Sequence, residues 1–133
     1  MSVAGPEMTS PSVTATQALH LGALTIRSER DGAAHVLTLA GELDLAGARN
    51  VEEELRCIEG TTAVLTSIFI DLRGLTFIDS TGLRLLAEAN HRADAATYRL
   101  VLLQPRDRAF RVCQVAGIDA LLPFEPAPAE ADG

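Results

Sequence analysis

The sequence predicts a single α/β domain: a mixed, mainly parallel β-sheet of about four to five strands covered by α-helices. Strand-like and helix-like runs alternate along most of the chain, the pattern produced when crossover helices join parallel strands. The run Ile68-Phe69-Ile70-Asp71-Leu72 is short, bounded and almost wholly apolar, as a central parallel strand should be. At 133 residues, 47% of them hydrophobic, the chain can build one core and has no room for a second domain. Aromatic residues make up only 4%, so that core is built from Leu, Val, Ile and Ala.

Residues 1–20 are rich in Ser, Thr, Ala and Pro, lack periodicity, and read as a flexible leader. The domain is expected at 21–124, and the Ala/Pro/Glu stretch 125–133 reads as a flexible tail. Leu24-Thr25-Ile26-Arg27 alternates as a strand, and Arg30-Asp31-Gly32 supplies a turn. His35 to Ala40 returns as a second strand, completing a hairpin. Gly41-Glu42-Leu43-Asp44 ends it, with Asp44 placed to cap the next element. Leu45, Ala48, Val51, Leu55 and Ile58 recur at three- and four-residue steps, opposite Arg49, Asn50, Glu52, Glu53 and Arg56. That is an amphipathic helix, which Gly60 is expected to end.

Residues 61–66 lead into the central strand, which breaks at Arg73-Gly74 and regains a short apolar run. At Asp79-Ser80-Thr81-Gly82 a second helix begins. Its buried face is expected at Leu83, Leu86, Ala87 and Asn90, widened by Leu85 and Ala89. Residues 93–97 read as a connection, and Tyr98 to Leu103 as the next strand. Pro105 suits the first position of a third helix carrying Ala109, Phe110, Val112, Cys113 and Ala116. Gly117 stands where that helix should stop, and 118–124 form a last short strand or turn against the sheet.

Several functions are excluded by composition. A net charge of −7 disfavours nucleic acid and anionic membrane, which need basic surface. No apolar run reaches membrane-spanning length and no signal peptide is visible, so the expected compartment is the cytoplasm. Cys57 and Cys113 are isolated, with no CxxC and no adjacent His, and read as buried free thiols. No metal or cofactor is expected: Glu52-Glu53-Glu54 lies on a solvent-facing helix surface. There is no Gly-x-Gly-x-x-Gly, and no Lys anywhere for a phosphate-binding loop.

The chemistry concentrates at Asp79-Ser80-Thr81-Gly82. A helix N-terminus offers unpaired N–H groups and partial positive charge, so a serine there is a candidate cap, nucleophile or phosphate carrier. The nucleophile reading fails. Ile78 stands where a hydrolase elbow needs Gly, and His20, His35 and His91 are poorly placed as bases. An aspartic-protease motif fails because Thr81 occupies its glycine position. Capping is the plain alternative, worth about 1 kcal/mol, and Asp44 carries the same reading.

Taken together, Gly41-Glu42-Leu43-Asp44, the helix, Asp71-Leu72-Arg73-Gly74-Leu75-Thr76-Phe77-Ile78-Asp79-Ser80-Thr81-Gly82-Leu83 and the later Leu100-Val101-Leu102 resemble the STAS domain of anti-sigma-factor antagonists. So does Val115-Ala116-Gly117-Ile118-Asp119-Ala120-Leu121-Leu122, so that the resemblance covers about residues 24–124. It implies a protein that is not an enzyme and works by partner switching. The unphosphorylated form binds an anti-sigma factor with serine kinase activity and frees a sigma factor. Phosphorylation of Ser80 ends the binding, and a serine phosphatase acting on the phosphorylated form restores it. Carried over by position, Ser80 is the phosphoacceptor, with Thr81 the minor alternative. Asp44, Asp79, Ser80, Thr81 and Gly82 form the partner surface. The alternative is a non-switching STAS scaffold or small-ligand-sensing module. Thr81 departs from the commoner second serine, 93–97 lacks an expected glycine, and the stretch between Gly60 and Ile68 is longer than the family pattern.

Overall fold

The computed structural model describes residues 24–62 and 64–126. β1 (Leu24–Asp31) and β2 (Ala34–Leu43) form the expected antiparallel hairpin, with Asp31 opposite Ala34. Gly32 makes the two-residue turn possible by taking φ 64°, a conformation that costs glycine nothing. β3 (Ser67–Ile78) lies parallel to β2, β4 (Arg99–Leu103) parallel to β3, and β5 (Phe124–Glu125) parallel to β4. The sheet order is therefore β1-β2-β3-β4-β5. The helices are α1 (Leu45–Thr61), α2 (Ser80–Ala96) and α3 (Asp107–Val115). This is the mixed, mainly parallel sheet that the sequence predicts.

Strand pairing lines up the core in rows. Leu37, Ile70 and Leu102 stand side by side across β2, β3 and β4, all fully buried. α1 and α2 pack on one another and on the sheet, adding Val51, Leu55, Leu86 and Ala89 to the same cluster. Each buried Val, Leu or Ile side chain gains roughly 1.5–3 kcal/mol on leaving water. α3 packs against β3 and contributes Ala109.

Six local expectations are corrected. β3 does not break at Arg73-Gly74. Thr38 pairs with Asp71 and Ala40 with Gly74, so Leu72 and Arg73 together oppose Leu39, and Thr76 is a second extra residue between Leu75 and Phe77. These are bulges, which bend a strand without ending it. α1 runs through Gly60, which is not left-handed, to Thr61, and the Thr62 amide donates to the Ile58 carbonyl. α2 likewise runs through most of the connection expected at 93–97, because Ala93 is buried against the core. Thr97 takes the left-handed capping position, φ 62°, that a glycine would fill more cheaply.

The buried face of α2 is Gly82, Leu85, Leu86, Ala89 and Ala93. Ala87 is exposed, and Leu83 and Asn90 only partly buried, since the stripe runs through 85, 89 and 93. Pro105 precedes α3, whose N-cap is Arg106, because the chain is still held to β5 by Gln104 N–H donating to the Glu125 carbonyl. Cys113 is buried, but Cys57 is exposed, lying off the 51-55-58 stripe of α1. Gly117 does follow α3 with φ 77°. The leader 1–20 and residues 127–133 of the tail lie outside the described residues. Among the described residues, no helix is long and apolar enough to cross a membrane.

Candidate functional site

β2 and β3 run parallel and end side by side, Leu43 opposite Ile78. Their exits therefore emerge together, and each exit starts a helix through the same device. Asp44 and Asp79 are both extended N-caps, and each carboxylate accepts from the amide three residues on. Gly47 N–H donates to Asp44 Oδ1 at 3.1 Å, and Gly82 N–H to Asp79 Oδ1 at 3.0 Å. The two glycines are buried because the helix starts press onto the strands. A Cβ on Gly82 would stand 2.8 Å from the Leu43 carbonyl oxygen and 2.8 Å from Ile78 Cγ1. Asp79 N–H also donates to the Leu43 carbonyl, which stitches the second exit to the first.

This division leaves Ser80 with no structural duty. Asp79 is the cap; Ser80 is the first residue of α2, exposed, and among the described residues its hydroxyl has no hydrogen-bond partner. Thr81 is half-buried and lines a depression between α1 and α2 with Arg49, Arg84 and Glu52. Beside it, a depression of about 660 Å³ is lined by Asp44, Leu45, Arg49, Glu53 and Asp79. Leu45 and Phe77, 64% and 46% exposed, put apolar surface next to this acidic ground. Asp44, Asp79, Ser80 and Thr81 thus share one face, with Gly82 directly beneath.

The surroundings do not suit catalysis at Ser80. His35 stands beside Ile68 at the start of β3, roughly 30 Å from Ile78 at about 3.3 Å per residue. His91 lies eleven residues along α2, roughly 16 Å away at about 1.5 Å per residue. No group of three His, Cys, Asp or Glu among the described residues could hold a metal ion. What the arrangement offers is an exposed hydroxyl at a helix start, framed by carboxylates and two arginines.

A family model described as "Mlab, STAS domain" matches residues 26–123. The chain belongs to the STAS domain family. An anti-sigma-B factor antagonist of Listeria monocytogenes is 29% identical over 105 residues, 79% of this chain and 90% of that protein. An anti-sigma factor antagonist from Mycobacterium paratuberculosis shares the fold with a TM-score of 0.68 and 24% identity, over 81% of this chain and 90% of that one. The Bacillus cell fate determinant SpoIIAA in its phosphorylated form shares it with a TM-score of 0.61 and 23% identity, over 81% and 96%. These relatives are antagonists, regulatory binding proteins and not enzymes.

The opposite pole of this STAS domain carries a second polar cluster. Arg92 Nε donates to both Glu59 oxygens, at 3.2 and 3.3 Å, and the Tyr98 hydroxyl donates to Glu59 Oε2 at 2.6 Å. Burial first, and the Glu59 carboxylate second, push the Tyr98 phenol well above its ordinary range. The cluster ties the ends of α1 and α2 to the start of β4, beside an open cavity of about 590 Å³. The sequence reading missed it, and it missed Arg49, Arg84, Leu45 and Phe77 at the Ser80 face. For Arg84 a signal existed: it lies four residues after Ser80, one helical turn away.

Proposed function

We propose that this STAS domain is an anti-sigma factor antagonist that works by partner switching, with Ser80 as its phosphoacceptor. The observation that carries the reading is the release of Ser80 from capping duty. Asp79 holds the helix start, so the serine hydroxyl can be modified without removing anything the fold relies on. A phosphorylated SpoIIAA with the same fold is consistent with that use. The partner is an anti-sigma factor with serine kinase activity. It transfers the γ-phosphoryl of ATP to Ser80 Oγ, the hydroxyl proton leaves, and ADP is released. A serine phosphatase reverses the step with water, returning the hydroxyl and inorganic phosphate.

The modification adds about −1.5 to −2 charge at neutral pH. A helix N-terminus accommodates an anion, so the domain stays folded. The partner contact does not tolerate it, because Asp44, Asp79 and Glu53 already make the face acidic. Like charge and phosphate desolvation together remove on the order of 2–4 kcal/mol of binding, roughly thirty- to a thousandfold in affinity. The test is a pull-down from the source cells with Ser80→Ala and Ser80→Asp baits, followed by intact-mass analysis after ATP is added. An ATP-binding kinase recovered by the Ala bait, and one phosphate gained by the parent but not by Ser80→Ala, is the expected outcome. Ser80→Ala gaining phosphate at the parent's stoichiometry would move the acceptor to Thr81 or elsewhere.

The alternative, a small-ligand-sensing STAS module, draws on the cavity at the Glu59–Arg92–Tyr98 pole. A small molecule retained on purification from source cells, with no kinase captured by either bait, is the result that would favour it.

A further inference from the structure

The two arginines at the Ser80 face have no evident employment in the unmodified protein. Arg49 and Arg84 line the same depression as Thr81, Arg49 from α1 and Arg84 from α2. Arg49 also lines the neighbouring depression with Asp44 and Asp79, so it stands between the two. Glu52, Glu53 and Glu88 share these depressions, yet among the described residues neither arginine forms an ion pair. By contrast, Arg56 is paired with Glu52 and Arg92 with Glu59.

Helix geometry aims Arg84 at the modified position. Residues four apart on a helix lie roughly 5–6 Å apart at Cβ, and long side chains lean back over the turn N-terminal to their own Cα. The turn N-terminal to Arg84 is the one that starts with Ser80. Guanidinium groups bind phosphate oxygens with two parallel N–H donors, and a phosphoserine offers more charge and one more acceptor oxygen than a carboxylate does.

We propose that Arg84, assisted by Arg49 across the α1–α2 groove, is the intramolecular seat for a phosphate on Ser80. The inference rests on Ser80 being the acceptor. In the seated state the phosphate is held against its own domain and both guanidinium groups are turned toward it. Phosphorylation then changes the partner surface twice: it adds negative charge at Ser80 and turns Arg49, which lines the depression with Asp44, Asp79 and Glu53, away from that acidic ground. An aspartate at position 80, with less charge and a shorter reach, leaves the arginines where they were and imitates the modification incompletely.

The test uses the full chain with phosphoserine installed at position 80 during synthesis, so that no kinase is needed. The second ionisation of the phosphate is followed by phosphorus NMR in the parent, Arg84→Gln, Arg49→Gln, the double variant and Arg84→Lys. The helix terminus and the carboxylates act equally in all five, so differences between them isolate the arginines. The expected result is a phosphate that ionises at a pH lower by about half a unit or more in the parent than in the double variant, with Arg84→Lys keeping part of the difference. Parent and double variant titrating together would overturn the seat. Partner capture by the same phosphorylated parent reads the switch separately. Undiminished capture sinks the switch reading and leaves the titration to decide the seat, while lost capture with superposed titrations does the reverse.

Discussion

At the scale of single residues, the site works because two adjacent side chains divide two jobs. Asp79 accepts from Gly82 N–H and holds the helix start, while Ser80 points to solvent with nothing to hold. Removing the cap should therefore cost stability and removing the hydroxyl should not. Asp79→Ala is expected to lose about 1 kcal/mol, and Ser80→Ala to stay within about 0.5 kcal/mol of the parent. Urea denaturation followed by circular dichroism measures both. Equal losses would mean that Ser80 shares the cap, and the argument for a freely modifiable hydroxyl would fail. This division was half legible in the sequence: Asp, Ser and Thr all favour caps, and only the coordinates assign the role to Asp79. Asp44 could be assigned earlier because no hydroxyl follows it; Leu45 and Ala46 cannot compete. The arginines were not legible, since nothing in a one-dimensional pattern brings Arg49 of one helix beside Arg84 of another.

At the scale of elements, helices and strands were legible from period and their ends were not. A glycine is expected to stop α1, but Gly60, where an added Cβ would meet nothing within 4 Å, simply continues the helix. A connection was expected at 93–97, but burial of Ala93 extends α2 and leaves Thr97 to make the left-handed turn. At Ala93 packing outweighs local preference, which is worth at most about 1 kcal/mol per residue; at Gly60 that small cost does not stop the helix. The same comparison separates two glycine substitutions by sign. Gly60→Ala adds a methyl group in open space within a helix and should stabilise by about 0.5–1 kcal/mol. Gly82→Ala pushes a methyl group to 2.8 Å from the Leu43 carbonyl oxygen, which belongs to β2 and cannot swing aside. It should destabilise by about 1–3 kcal/mol and tilt the start of α2, weakening partner capture as well. Thermal melts of the two variants give the order directly. A Gly82→Ala protein as stable as the parent would show that α2 does not press on the strand ends as described.

At the scale of the whole molecule, the sheet separates the acid-sensitive groups from the switch face. His35 is buried where β2 begins, its Nε2 3.0 Å from Thr62 Oγ1, and burial, then the Arg30 charge across the hairpin, lower its pKa. Asp71 lies in the middle of β3. Burial alone would raise its pKa, but hydrogen bonds from the Arg73 guanidinium and amide, with the Arg73 charge, hold it below the usual carboxylate value. Both shifts favour the deprotonated form in the folded state, so the stability each contributes is present at neutral pH and lost on acidification. For His35 the loss begins as pH falls through its unfolded value, about 6.5, and continues to its lower folded value. For Asp71 it begins only near pH 4 and continues as pH falls through the folded value. As pH falls below about 6.5, His35 therefore contributes to the slope before Asp71 does, at up to about 1.4 kcal/mol per pH unit for one proton. His35→Gln should flatten urea midpoints measured at pH 7, 6 and 5, while leaving the loss below pH 4 in place. An unchanged slope in His35→Gln would assign the acid sensitivity to other groups. Because His35 adjoins the start of β3 and the switch face lies past its end, the same variant should capture the partner at pH 7 as the parent does. That pairing of results, a lost acid response with intact binding, tests the separation of the two poles in one protein.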